Sequence, residues 1–107
     1  MKYRLVAEGF RTPNPVTSTH AGVVSRDSVR IAFTYAALNG LDVWAADVQN
    51  AFLKAPCSEK YYTVCGPEFG SEFIGKLAII VRAAYGLKST GADFRNHLRD
   101  CMEHLGY

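Results

Sequence analysis

Hydrophobic residues recur at helical spacing in two stretches of the chain. Between Ser25 and Gly40, either Ser25 or Asp27 can cap a helix that Asn39-Gly40 would end. A second helix is predicted from Ser89-Thr90 to Gly106. Their apolar stripes comprise Val29, Ala32, Phe33, Ala36 and Ala37 in the first helix, and Phe94, Leu98, Cys101, Met102 and Leu105 in the second. The pattern therefore predicts two longer helices, each with one face suited to burial.

Alternating apolar and polar residues predict short strands elsewhere in the chain. Strands are expected at residues 2–7, 41–47, 61–65 and 77–83. Residues 13–24 are expected to be extended and irregular, and residues 49–54 to form a short helical turn that stops at Pro56. Because no long crossover separates most of these strands, the order favours an α+β domain with a mainly antiparallel sheet.

Composition places the chain among folded globular proteins. The 107 residues are 49% hydrophobic and 21% charged, and the net charge of +2 gives no strong field for nucleic acid. The longest apolar run is too short for a membrane span, and the start of the chain lacks a signal-peptide pattern. Three cysteines without CxxC spacing favour reduced thiols over disulfides or a zinc site. We expect one domain, or part of one, in an intracellular compartment.

Asp47 is the residue with the clearest candidate chemistry. It ends a predicted strand, where a carboxylate can hold a hard divalent cation, but it is also well placed to cap the next helical turn. A metal site for phosphoryl transfer needs a second carboxylate. Asp42 lies on the opposite face of the same predicted strand, and the spacing brings neither Glu59 nor Asp93 to Asp47. From these residues alone, both the metal ligand and the cap remain open.

Basic residues near two predicted loops are candidates for phosphate contacts. They are Lys2, Arg4, Arg11, Arg82 and Lys88, with Arg95 and Arg99 on the last predicted helix. A solvated polar face is the common alternative for such residues. The glycines of GPEFG and YGLKSTG lack the spacing of a P-loop, and no Ser/His/Asp arrangement indicates a hydrolase. His97 and His104, seven residues apart, are expected to face solvent.

Four ordered blocks of sequence resemble a known family. KYRLVAEGF, GLDVWAADVQNAFL, YYTVCGPEFG and LAIIVRAAYGLKSTGADFRNHL follow one another in the order of the copia-type LTR retrotransposon reverse transcriptase domain, and they cover nearly the whole chain. The most specific parts are DVQNAFL and YGLK, which resemble polymerase motifs A and B. The resemblance implies a partial fingers and palm domain over residues 1–107.

The resemblance also implies a role for individual residues. Asp47 would be the first metal-binding aspartate, with the Val48 carbonyl helping to hold Mg²⁺, and Phe52 would be the aromatic gate against a ribose 2′-hydroxyl. The residues matching nucleotide-contacting positions are Lys2 and Arg4 near the triphosphate, and Tyr85, Gly86 and Lys88 in the motif B loop. Carboxylate, cations and a shaped sugar pocket are what two-metal phosphoryl transfer requires.

The sequence departs from the family pattern in two places. Residues 89–94 read STGADF where the family usually continues with Ala-Pro and an aromatic, and the chain stops at Tyr107, before a Tyr-x-Asp-Asp motif. The resemblance thus implies a polymerase fragment that is inactive alone, with template–primer and dNTP as partners. The alternative is a repurposed, non-catalytic subunit whose exposed sheet edge is covered by a protein partner. A cytoplasmic or nuclear location is expected, and organelle import is left open.

Overall fold

The first long helix begins and ends where the sequence predicts. The structure, a computed structural model, describes residues 4–107. Helix α1 spans Arg26–Leu38. Ser25 is its N-cap in extended conformation, and the Ser25 hydroxyl oxygen accepts a hydrogen bond of 3.1 Å from the Ser28 backbone N–H. This bond satisfies one of the donors that a helix start leaves free, so Ser25 rather than Asp27 is the cap.

The short helical turn after residue 49 is also confirmed. Helix α2 spans Ala51–Lys54 and is preceded by Asn50, whose φ of 52° lies in the left-handed region. Ala55 returns to extended backbone, and strand β1 begins at Pro56. The proline therefore ends the helical turn as its restricted backbone predicts.

A two-stranded antiparallel sheet follows. Strand β1 spans Pro56–Val64 and strand β2 spans Leu77–Arg82, with Tyr61 opposite Ile80 and Val64 opposite Leu77. The register is irregular between Pro56 and Tyr61, so β1 begins earlier than the predicted residues 61–65 but pairs regularly only over its second half. The connection contains a 3₁₀ turn at Pro67–Phe69. Both predicted strands are thus present, as a hairpin.

The predicted strand at residues 41–47 is wrong. This segment is irregular and exposed throughout, and the Trp44 side chain keeps 91% of its accessible surface. Alternating side chains make a strand only when its backbone groups have a partner strand. Among residues 4–107, β1 and β2 pair with each other and leave residues 41–47 without one.

The predicted N-terminal strand at residues 2–7 is not formed over residues 4–7, and Lys2 lies outside the described residues. Instead, the Ala7 backbone N–H donates a single hydrogen bond of 2.7 Å to the Tyr85 carbonyl. A short 3₁₀ turn follows at Gly9–Arg11. Residues 13–24 are irregular, as predicted. This hydrogen bond holds the N-terminal segment against the segment of Tyr85, but the two segments do not form a β-ladder.

The second long helix, α3, spans Thr90–His104 and completes the packed part of the molecule. Its first turns pack against α2 and β1, where Ala55, Ala83 and Ser89 are fully buried. The predicted apolar stripe is only partly covered: Phe94 is half-buried, whereas Leu105 is 68% exposed. The α3 helix is therefore anchored at its N-terminal end.

Helix α1 stands apart from this core. It has no extensive contact with another helix or strand in the described chain, and most of its stripe, including Phe33, is exposed. The radius of gyration is 18.2 Å, against roughly 13 Å for a compact domain of this length. The α+β class with two longer helices is confirmed. Within residues 4–107, no helix is both long and apolar enough to cross a membrane.

Candidate nucleotide-binding site

Three aromatic side chains from three separate segments form one cluster. The Phe52 ring, on α2, lies 5.0 Å from the Tyr85 ring, with 59° between the two planes. The Phe94 ring, on α3, meets Phe52 edge-on at 6.0 Å. Such tilted pairs contribute about 1 kcal/mol each beyond the area they bury. All three rings are half-buried, so the cluster is a packed wall with one face accessible to solvent.

Arg4 adds a cation to this wall. Its guanidinium carbon lies 4.3 Å from the centre of the Tyr85 ring, and the hydrogen bond from Ala7 to the Tyr85 carbonyl fixes the same segment. A guanidinium over an exposed aromatic face is stabilised by about 0.5–1 kcal/mol and keeps its N–H donors free at the edge. Of the predicted nucleotide-contacting residues, Arg4, Phe52 and Tyr85 are thus brought together.

Gly86 makes the close approach of the N-terminal segment possible. Its φ of 92° lies in the range that favours glycine, and a Cβ there would collide with the Ala7 carbonyl oxygen and the Val6 side chain. A Cβ added at Gly9 would likewise collide with the Gly86 carbonyl oxygen. Two glycines therefore let two backbone segments touch beside the aromatic cluster. The sequence singled out Gly86, but gave no indication that Gly9 is its partner.

Lys88 is held by the loop that follows the first 3₁₀ turn. Its ammonium donates to the Thr12 carbonyl oxygen at 2.9 Å and to the Asn14 side-chain oxygen at 3.0 Å. Both acceptors are neutral, so these bonds fix the position of the ammonium but leave its charge available to an anion.

An open concavity of about 620 Å³ lies beside Lys88. Its lining residues are Asn14, Pro15, Thr17, Ser18, Thr19 and Lys88. Glu59 on β1 holds one wall, because its Oε1 accepts hydrogen bonds from the Val16 and Thr17 backbone N–H groups at 3.0 and 3.3 Å. The hydroxyl run at residues 17–19 was missed by sequence reasoning. The three hydroxyl residues are consecutive in the sequence, but no sequence pattern connects them to Lys88.

Three of the other basic candidates have partners of their own. Arg11 forms an exposed ion pair of 2.9 Å with Glu8, and Arg82 donates to the Lys54 carbonyl at 3.2 Å. Arg99 lies 3.3 Å from Asp100 on the same helix. Arg95 is exposed on α3. Arg4 lies at the aromatic cluster, and Lys88 lies beside the concavity.

Asp47 and Val48 lie on the irregular, exposed segment before α2. Within the described part of the chain, the Asp47 carboxylate has neither a hydrogen bond nor an ion pair, and Asn50 rather than Asp47 occupies the N-cap position of α2. The capping alternative is therefore wrong. Among residues 4–107, no three His, Cys, Asp or Glu side chains are grouped so that they could hold a metal ion. Asp47 offers one carboxylate, and these residues do not make up a two-metal site.

Asp93 has a structural position instead. It is buried near the start of α3, and its Oδ2 accepts a hydrogen bond of 3.3 Å from the Ser58 backbone N–H of β1. Burial raises the pKa of the neighbouring Cys57 thiol, and the negative charge of Asp93 acts in the same direction. Asp93 thus joins α3 to β1.

Comparison with known proteins bears on the family of the chain. A family model described as reverse transcriptase (RNA-dependent DNA polymerase) matches residues 1–107. Neither the curated proteins nor the solved structures gave a significant match. Since the matched region spans the full sequence given, the chain belongs to the reverse transcriptase (RNA-dependent DNA polymerase) family.

Proposed function

We propose that the chain is a fingers and palm portion of a copia-type retrotransposon reverse transcriptase, and that it forms one wall of the nucleotide pocket. The observation that carries this proposal is the convergence of Arg4, Phe52 and Tyr85. These residues come from distant parts of the sequence, and each matches a nucleotide-contacting position of the copia-type pattern.

In this proposal, each side chain acts through the contacts described above. Phe52 is held by Tyr85 and Phe94, so its ring is a fixed surface against which a sugar can be discriminated by shape. Arg4 keeps its free guanidinium edge for phosphate oxygens, to which two parallel N–H donors fit. Lys88, held by neutral acceptors, supplies a second positive charge on template, primer or dNTP.

The salt dependence of nucleic-acid binding tests whether Arg4 and Lys88 contact phosphates. We expect a labelled RNA template–DNA primer to bind, and Arg4→Ala or Lys88→Ala to weaken binding and lower the slope of log K against log salt by about 1 each. Lys60→Ala is the control, because Lys60 is exposed on β1 away from the cluster. Circular dichroism of each variant checks folding. If all three variants keep the wild-type slope of log K against log salt, neither Arg4 nor Lys88 contacts the nucleic acid.

We also propose that the 107-residue chain does not polymerise by itself. The support is that, among residues 4–107, Asp47 belongs to no group of three or more His, Cys, Asp or Glu side chains, whereas Mg²⁺ catalysis on a triphosphate needs converging oxygen ligands. In primer extension with Mg²⁺ or Mn²⁺, both the wild-type chain and Asp47→Asn should give no product. Extension by the wild-type chain that Asp47→Asn abolishes would overturn this part of the proposal, while leaving the binding wall intact.

A second candidate function is that of a repurposed, non-catalytic subunit of a larger complex. The observation that favours it is the large apolar area on α1 and residues 41–48, where Phe33 and Trp44 are exposed. A protein partner would cover this area or the free edges of the β1–β2 hairpin. Light scattering on the chain purified from its native source decides: a defined complex without nucleic-acid affinity favours this function over the first. Three free cysteines support a cytoplasmic or nuclear location for either.

A further inference from the structure

The exposed end of α3 carries a pair of metal-ligating side chains that the polymerase roles do not use. His97 and Cys101 are one helical turn apart, and the Cys101 sulfur lies 3.8 Å from His97 Nε2. Residues at this spacing lie on one face of a helix, and both side chains line a shallow concavity together with Asp100, His104 and Leu105. We propose that His97 and Cys101 form a two-ligand site for a borderline divalent cation such as Zn²⁺ or Co²⁺.

The separation of the two ligand atoms fits such an ion. With ordinary Zn–S and Zn–N bond lengths and a tetrahedral angle, sulfur and nitrogen bound to one zinc ion lie about 3.6 Å apart. The observed 3.8 Å differs from this by an amount that a small side-chain rotation removes. The Cys101 sulfur and His97 Nε2 already face each other at hydrogen-bonding distance. A cation bound between them would use the sulfur of the thiolate and the unprotonated Nε2 as its ligands.

The surroundings favour a positive ion at this position. Cys101 lies in the last turn of α3, at the end of the helix where the helix dipole is negative. Asp100 adds a carboxylate to the same concavity, although Arg99 pairs with it at 3.3 Å. Because the described residues contain no group of three ligands, water completes the coordination shell.

The ligand chemistry separates this site from Asp47. Thiolate and imidazole select zinc, cobalt, nickel or copper, whereas Mg²⁺ prefers oxygen ligands. Binding also releases the thiol proton, so affinity should rise with pH. The proposal does not depend on polymerase activity or on the nucleotide wall.

Cobalt titration of the reduced 107-residue chain tests the site. We expect a thiolate-to-cobalt charge-transfer band, unaffected by excess Mg²⁺ and displaced by Zn²⁺. Cys101→Ser should abolish the band, and His97→Ala should weaken cobalt binding by roughly tenfold or more. Cys57→Ser and Cys65→Ser are the matched controls and should retain it, because these thiols lie on or just after β1.

Folding of the variants is checked by circular dichroism, and Cys101 is exposed, so its replacement by Ser should leave α3 intact. A band that persists in Cys101→Ser and disappears in Cys57→Ser or Cys65→Ser would overturn the proposal. Absence of any band in the folded wild-type chain would do so as well. Equal cobalt affinity of His97→Ala and wild type would reduce the feature to a single thiol and also refute the two-ligand site.

Discussion

Two regions of the molecule that are both rich in apolar residues differ sharply in how they are organised. Around α2, the β1–β2 hairpin and the start of α3, small residues such as Ala55 and Ala83 are fully buried and aromatic rings meet. On α1 and residues 41–48, larger apolar side chains such as Ile31 and Trp44 remain exposed. The difference shows that apolar residues alone do not make a core. A neighbouring helix or strand must also supply a face that packs against them.

The same comparison separates the residues of the candidate site. Arg4, Phe52 and Tyr85 belong to the packed region and are held by several contacts. Asp47 belongs to the unpacked region, and within residues 4–107 its carboxylate makes no hydrogen bond or ion pair. The proposed pocket wall is therefore preorganised in this chain, whereas Asp47, the proposed metal ligand, is not.

Among the variants that test the difference between the two regions, Gly86→Ala should lower the free energy of unfolding the most. The added Cβ would collide with the Ala7 carbonyl oxygen, and the φ of 92° is unfavourable for alanine. We expect a loss of about 3 kcal/mol in the free energy of unfolding, measured by urea denaturation. Gly22→Ala is the control, because its Cβ would meet only ordinary contact with His20. Similar stability of both variants would mean that the N-terminal segment is not docked at Gly86.

A pair of phenylalanine variants measures the difference between the two regions directly. Phe52→Ala removes a ring that contacts Tyr85 and Phe94, so a loss of about 2 kcal/mol is expected. Phe33→Ala, on the exposed face of α1, should change the free energy of unfolding by less than about 0.5 kcal/mol. Urea denaturation measures both. Equal losses would show that α1 is packed in solution, contrary to this comparison.

A smaller and local effect is expected from Ser25→Ala. The variant removes the hydrogen bond to the Ser28 N–H and should destabilise α1 by about 1 kcal/mol. Because α1 has no extensive contact with another element, the loss should appear as faster hydrogen exchange within residues 26–38 and leave the β1–β2 hairpin unchanged. Ser71→Ala, in an exposed turn, is the control. Faster exchange throughout the chain would indicate that α1 and the core unfold together.

The smallest expected effect concerns the Cys57 thiol at the edge of the packed region. Its pKa is raised in the folded chain, chiefly by burial, so the folded state keeps this proton to higher pH than the unfolded state does. The contribution of this thiol to the free energy of unfolding is fully present below the pKa that Cys57 has in the unfolded chain. It is lost as the pH rises through the pKa that Cys57 has in the folded chain. Alkylation of Cys57, followed by mass spectrometry against pH, should require more alkaline conditions in buffer than in urea. Coincident pH profiles would show that Cys57 is not buried.

Sequence reasoning was most accurate where structure is local. The start of α1 follows from its Ser25 cap, the end of α2 from Pro56, and the ends of α1 and α3 from the glycines just beyond them. The strand prediction for residues 41–47 was wrong because a strand also needs a distant partner. The stripe on α3 was identified correctly as a pattern, but its burial depends on elements that cover only the first turns.

For the candidate site, the family resemblance, the set of candidate residues and the helical turn that carries Phe52 could be read from the sequence. The fold was needed to see that Arg4 stacks on Tyr85, that Lys88 joins the loop of Thr12 and Asn14, and that Asp47 stays exposed. The two sets of features differ in the range of the interactions that produce them. Helix caps and turns use hydrogen bonds between near neighbours, whereas a ring, a cation or a carboxylate finds its partner only after distant segments have packed.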